Sequence, residues 1–91
     1  MKFNKKTDRI WLEDENGKEI AYVEFPKLEE GVVSITHTVV DTSLRGQGIA
    51  GKLLEELVKE LAASGRKAKP VCSYAISWFE KHPEHEDLIQ K

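Results

Sequence analysis

A chain of 91 residues, 40% hydrophobic and 33% charged, is long enough for one core and too short for a cofactor domain beside a substrate domain, so residues 1–91 are expected to form a single domain. A net charge of −2 with lysines scattered among acids excludes the basic stripe of a nucleic-acid binder. No apolar run reaches membrane-span length, no apolar core follows the basic Lys2, Lys5 and Lys6, and the one cysteine, Cys72, permits no internal disulfide; a cytoplasmic protein is therefore expected.

From Asp8 to Glu13 the sequence alternates, with Ile10 and Leu12 on one face and Trp11 on the other, and Glu15-Asn16-Gly17-Lys18 reads as a hairpin turn. The second strand, Glu19 to Phe25, ends before Pro26, which has no N–H for a ladder. Glu29-Glu30-Gly31 turns the chain into a third strand, Val32 to Val40. A helix from about Ile49 to Ala63 carries Ile49, Ala50, Leu53, Leu54, Leu57, Val58, Leu61 and Ala62 as its apolar stripe, with Glu55 and Lys59 in the favourable i,i+4 order and Ser64-Gly65 at its end. Lys67 to Cys72 suits a fourth strand parallel to the third through a right-handed crossover. Ser73 can cap a last helix, Tyr74 to His82, which Pro83 stops. The fold class is α/β (α+β), ordered β-β-β-α-β-α: an antiparallel meander closed by a βαβ unit.

The stretch from Val39 to Leu54 organises the rest. A β-branched run stops, Gly46, Gly48 and Gly51 crowd a turn, and a long helix opens. Glycines let backbone approach a ligand closely, and the first helical turn offers unpaired N–H groups at its positive end, so the pattern reads as a phosphate cradle. Neither Gly-x-Gly-x-x-Gly in a long βαβ unit nor the Gly-Lys-Ser/Thr of a Walker loop is present. The bland alternative is a strand-to-helix turn punctuated by glycine.

The spacing Arg45-x-x-Gly48-x-Ala50 resembles the pyrophosphate-binding signature of the GNAT superfamily of N-acetyltransferases. The meander, His37-Thr38-Val39-Val40, Pro70-Val71-Cys72-Ser73-Tyr74 and His82-Pro83-Glu84 further resemble its short YjdJ-type branch, across nearly the whole chain. The resemblance implies a minimal GNAT-like fold with the last two strands parallel and splayed. It also implies acetyl-CoA or coenzyme A as cofactor. Backbone groups of Thr38, Val39 and Val40 would meet the pantetheine arm, and Arg45, Gly46 and the amides of Gln47, Gly48, Ile49, Ala50, Gly51 and Lys52 would hold the diphosphate. The two helices that longer members insert after the first strand are missing, because Asn16-Gly17 turns directly into the next strand. An open acceptor site follows. Many members place a tyrosine acid in the last helix; Trp78-Phe79-Glu80-Lys81 puts Phe79 there.

Acetyl transfer to an amine needs a neutral amine, so a proton must be taken up. His37 has the side-chain type for a base, with a strand histidine in a half-buried hydrogen bond as the alternative. Cys72, just before the last helix, is placed where a helix dipole favours a thiolate, or else is an inert packing residue. Tyr74 is the nearest tyrosine by sequence to replace the missing acid, or else a core or rim residue. No metal site is expected, since His82, His85 and Cys72 do not make a ligand cluster by spacing. Three functions stand open: an acetyl-CoA-dependent N-acetyltransferase acting on an unidentified amine of a small molecule or partner protein, a non-catalytic coenzyme A-binding or sensing module that docks onto a partner protein, and a structural adaptor.

Overall fold

The computed structural model describes residues 2–44 and 46–90; Met1, Lys91 and the expected phosphate-loop residue Arg45 lie outside the described residues. One sheet has the antiparallel order β1 (Lys2–Lys6), β2 (Arg9–Glu13), β3 (Glu19–Glu24), β6 (His37–Val40). The other runs β4 (Lys27–Glu29), β5 (Val32–Ile35), β7 (Lys67–Pro70), with β4 antiparallel and β7 parallel to β5. Helices α1 (Ile49–Ser64) and α2 (Ser73–Glu80) follow β6 and β7, with 3-10 turns at Thr42–Leu44 and Pro83–Leu88.

Period-two alternation decides the faces. Ile10 opposes Val23 and Leu12 opposes Ala21 on the inner, buried side, while Trp11 opposes Tyr22 on the outer side. The hairpin between them is tied by Asp14, whose Oδ1 accepts from the amides of Asn16 (2.8 Å) and Lys18 (3.0 Å). Strand β1 was not expected. Its lysines suit a sheet edge, where charge discourages pairing with another chain, and Phe3, opposite Leu12, supplies its inward anchor.

The expected single strand Val32–Val40 is two. Thr36 N donates to Glu24 O at 3.0 Å while His37 is Glu24's register partner, so two residues face one, which is a β-bulge. Before the bulge the chain pairs with β7; after it, with β3. The parallel register runs from Val32↔Lys67 to Ile35↔Pro70 and stops. The amides of Val71 and Cys72 then both donate to the one carbonyl of Ile35, each at 3.0 Å, and the two strands part. The pair is splayed, and the cause is the bulge.

The apolar stripe of α1 seats Ile49, Leu53, Leu54, Leu57, Val58 and Leu61 in the core that the inner faces of β2 and β3 complete. Ala62, expected in that stripe, is exposed. The helix ends in a Schellman motif: Arg66 N donates to Leu61 O and Gly65 N to Ala62 O. Lys59 pairs with Glu56 at 3.1 Å rather than with Glu55, an exposed contact of small weight. The last helix is shorter than expected and begins at Ser73, with Cys72 rather than Ser73 in the capping position.

Candidate active site

Strands β5 and β7 run in parallel, so the helices that follow β6 and β7 both begin at the carboxyl ends of the strands, where ligands sit in open α/β sheets. There the parting strands leave a groove of about 490 Å3. Thr38, Val39 and Val40 form one wall, Gly46, Gly48, Ile49 and Ala50 the end, and Tyr74 of α2 the far side. Because Asp41 N donates to Ile20 O, alternation turns the backbone of Val39 toward β3 and that of Thr38 and Val40 toward the gap. Among the described residues β3 is the only neighbour of β6 in its sheet, so those groups of Thr38 and Val40 have no strand partner there.

The loop into α1 is set by Asp41, whose Oδ1 accepts from Ser43 N (3.0 Å) and Ser43 Oγ (2.8 Å); these bonds hold its carboxyl below the usual aspartate range. Gly46 and Gly48 take φ of 85° and 72°, a region that side chains with a β-carbon rarely adopt, and a Cβ at either would meet nothing within 4 Å. Gly48 caps α1 without a side-chain bond, and no acceptor among the described residues serves the amides of Ile49, Ala50 and Gly51. Lys52 is exposed on the same turn and pairs with no carboxylate among the described residues.

Cys72 stands where the strands part, half-buried, its Sγ sharing a hydrogen bond of 3.5 Å with Thr38 Oγ1 across the gap. Tyr74 is 40% exposed and its phenol is pushed up by burial. His37 is not in the groove. It lies on the outer face beside a separate depression with Asp8 and Glu24, its Nδ1 3.1 Å from Thr36 Oγ1 and 3.5 Å from Glu24 Oε1. Phe79 is buried in the core, so no hydroxyl stands at that place. A larger depression, about 770 Å3, is at the opposite end of α1 between Lys6–Asp8, the β4–β5 hairpin and Ser64–Arg66. Its cations Lys27 and Arg66 are taken by Glu30, by Ser64 Oγ and by Thr7 O, and Lys6 lies over the Trp11 ring at 5.6 Å, whereas the backbone donors without an acceptor lie at the smaller groove.

Residues 9–88 match the sequence model of the GCN5-related N-acetyltransferases. The chain belongs to the GCN5-related N-acetyltransferase family. A GCN5-like protein of Staphylococcus aureus, solved in solution, is 26% identical with a TM-score of 0.79, over 98% of this chain and 87% of its own. An Escherichia coli GNAT-family N-acetyltransferase solved in complex with CoA is 26% identical with a TM-score of 0.68, over 78% of this chain and 43% of its own. Tetrahymena GCN5, at 13% identity and a TM-score of 0.68 over 80% of this chain and 48% of its own, is a likeness of fold alone. The chain thus spans less than half of these two longer relatives. No curated protein sequence matches it significantly. The family's cofactor is acetyl-CoA. The donors present fit that group: unpaired amides at a helix N-terminus and open space over Gly46 and Gly48 suit a diphosphate, and a sheet edge with free backbone groups suits an amide-bearing arm.

Sequence reasoning missed the indole N–H of Trp78. Tyr74 and Trp78, four residues apart, share one face of α2, and that spacing was the available signal.

Proposed function

We propose that the chain is an acetyl-CoA-dependent N-acetyltransferase of the short YjdJ-type branch, a single domain over residues 1–91, with an acceptor site open on one side. The observation that carries this reading is the groove itself, which runs from the free edge of β6 to the unpartnered amides of α1. Acetyl-CoA brings an activated acetyl thioester. The amides from Gln47 to Lys52 would hold its diphosphate, with Arg45 from the same loop, and the backbone of Thr38, Val39 and Val40 its pantetheine arm.

Cys72 would lie beside the reacting carbon. Its thiolate would take the acetyl group as the coenzyme A thiol leaves, and an amine would then take that group from Cys72, restoring the thiolate. His37, on the outer face one residue before the groove, would receive the proton the amine gives up, directly or through water. Tyr74, with its protonated phenol on the groove wall, is the hydroxyl available to a leaving thiolate.

The non-catalytic reading gains from two observations: Phe79 is buried where many members place an acid, and β2 passes straight into β3 with no helices to wall the acceptor. A thiol-release screen with acetyl-CoA over polyamines, amino acids and lysine peptides separates the two. Catalysis through Cys72 gives turnover that falls by two orders of magnitude or more in Cys72→Ala with coenzyme A binding retained. Full activity in Cys72→Ala would leave direct attack by the amine as the mechanism. Absence of turnover for every amine, with binding intact, would favour the sensing module.

A further inference from the structure

The first turn of α1 is bordered by more than its own amides. Gly51 faces α2, and the space its missing β-carbon would fill lies 3.6 Å from Tyr74 Oη and 3.7 Å from Trp78 Nε1. Trp78 is 6% exposed, yet its Nε1 has no acceptor among the described residues and is not sealed from solvent. A buried indole normally finds a partner for its N–H. The other tryptophan does: Trp11 Nε1 donates to Glu13 Oε2 at 2.9 Å on the outer sheet face.

The ring of Trp78 is held in place. His82 stacks on it at 4.0 Å and 17°, Phe79 meets it edge-on at 5.1 Å, and His82 Nδ1 is 2.7 Å from Trp78 O. Its N–H therefore borders the Gly51 niche without a side-chain rearrangement. Tyr74 Oη has no partner among the described residues either. The niche thus brings an indole N–H and a phenol O–H beside the first turn of α1, whose amides at Ile49, Ala50 and Gly51 have no acceptor among the described residues. The indole and the amides can only donate, so the matching ligand is rich in acceptor oxygens and negatively charged.

We propose that Trp78 and Tyr74, across the Gly51 niche, form with the first turn of α1 a phosphate subsite in which the indole N–H of Trp78 bonds directly to a phosphate oxygen of the coenzyme. The assignment rests on the coenzyme A reading above and adds side-chain donors to a site that the loop describes by backbone alone. On this assignment the Tyr74 hydroxyl serves the phosphate instead of the leaving thiolate, which then takes its proton from solvent. Gly51 is then required for access rather than for backbone conformation, because a Cβ there makes ordinary contacts and strains nothing.

The test is proton–nitrogen NMR of the two indole N–H groups in the full chain, with Trp11 as internal control. Titrants are coenzyme A, dephospho-coenzyme A, pantetheine and inorganic pyrophosphate. The Trp78 resonance moves with coenzyme A and not with pantetheine, while Trp11 stays. Movement with dephospho-coenzyme A and pyrophosphate places the subsite at the diphosphate, and movement with coenzyme A alone places it at the 3′-phosphate. Trp78→Phe, which keeps an aromatic ring for His82, weakens coenzyme A about tenfold or more, as for a lost bond to a charged group. Gly51→Ala raises the ligand-free melting temperature through better helix propensity while weakening coenzyme A, a split that a purely structural role would not give. A Trp78 resonance that stays still, or moves equally with pantetheine, while coenzyme A still stabilises the fold overturns the subsite and leaves the coenzyme reading intact. Movement with pyrophosphate but no effect of coenzyme A keeps the subsite and removes the coenzyme reading. No response to any titrant removes both.

Discussion

Glu19 shows how residue-scale electrostatics acts on this fold. Arg9 holds it bidentately at 2.7 and 2.6 Å and also lies over the rings of Trp11 (5.4 Å) and Tyr22 (4.5 Å). The hydrogen bonds from Arg9 lower the Glu19 carboxyl below its ordinary value of 4.5, and bonds from Lys59 do the same for Glu56. A carboxyl lowered in the folded state contributes stability that is present above its unfolded value and lost as pH falls through the folded one. The melting temperature is therefore expected to drop on acidification below the ordinary glutamate range. Glu19→Gln should flatten that acid limb while costing only a few degrees at neutral pH, because the pair is partly exposed and screened. A melting curve against pH for both proteins checks this, and an unchanged acid limb would refute it. Residue types were readable in the sequence at this scale, but partners were not. Glu55–Lys59 has the right spacing, yet Lys59 takes Glu56, which also meets Lys5 at 3.3 Å from β1, a strand that sequence reasoning did not find.

At the scale of elements, legibility followed hydrophobic period. Strands β2 and β3 and helix α1 alternate or repeat cleanly, and their faces came out as read except at Ala62, which α1 exposes. Strand β1 did not, because Phe3 is its only apolar residue and the outer edge favours the lysines that read as a solvated terminus. The break at Thr36 was invisible for the opposite reason: Val32 to Val40 is rich in Val, Ile and Thr with no Gly or Pro to mark a stop, and the bulge arises from which neighbour each half pairs with. That unseen bulge opens the groove. The glycine loop was legible, since its backbone has few alternatives. Gly48 at φ 72° should cost about 1–2 kcal/mol when replaced by alanine. Gly48→Ala is accordingly expected to melt roughly 4–16 °C lower, at about 4–8 °C per kcal/mol. Thermal denaturation without ligand measures it, and an unchanged melting temperature would mean that the loop relaxes into another conformation.

Across the whole molecule, the two sheets and both helices place the free backbone groups of β6 and of the first turn of α1 at one end, where β6 diverges from β7 and α1 and α2 begin. Among the described residues no helix is long and apolar enough to cross a membrane. What the sequence could not supply was the relation between faces. His37 precedes Thr38 by one residue, yet alternation puts it on the outer sheet face while Thr38 reaches Cys72 at 3.5 Å. An acceptor that uses both must come from the outer face to meet a coenzyme lying in the groove. The central claim is that the groove holds the coenzyme, and the melting temperature under coenzyme A tests it most directly. At about one hundred times the dissociation constant, a ligand that binds only the native state adds about 2.7 kcal/mol, equivalent to roughly 10–20 °C here. A rise of that size is expected in the unmodified chain and none in Gly48→Val; an unmodified chain whose melting temperature does not move at saturating coenzyme A would contradict a coenzyme-binding groove.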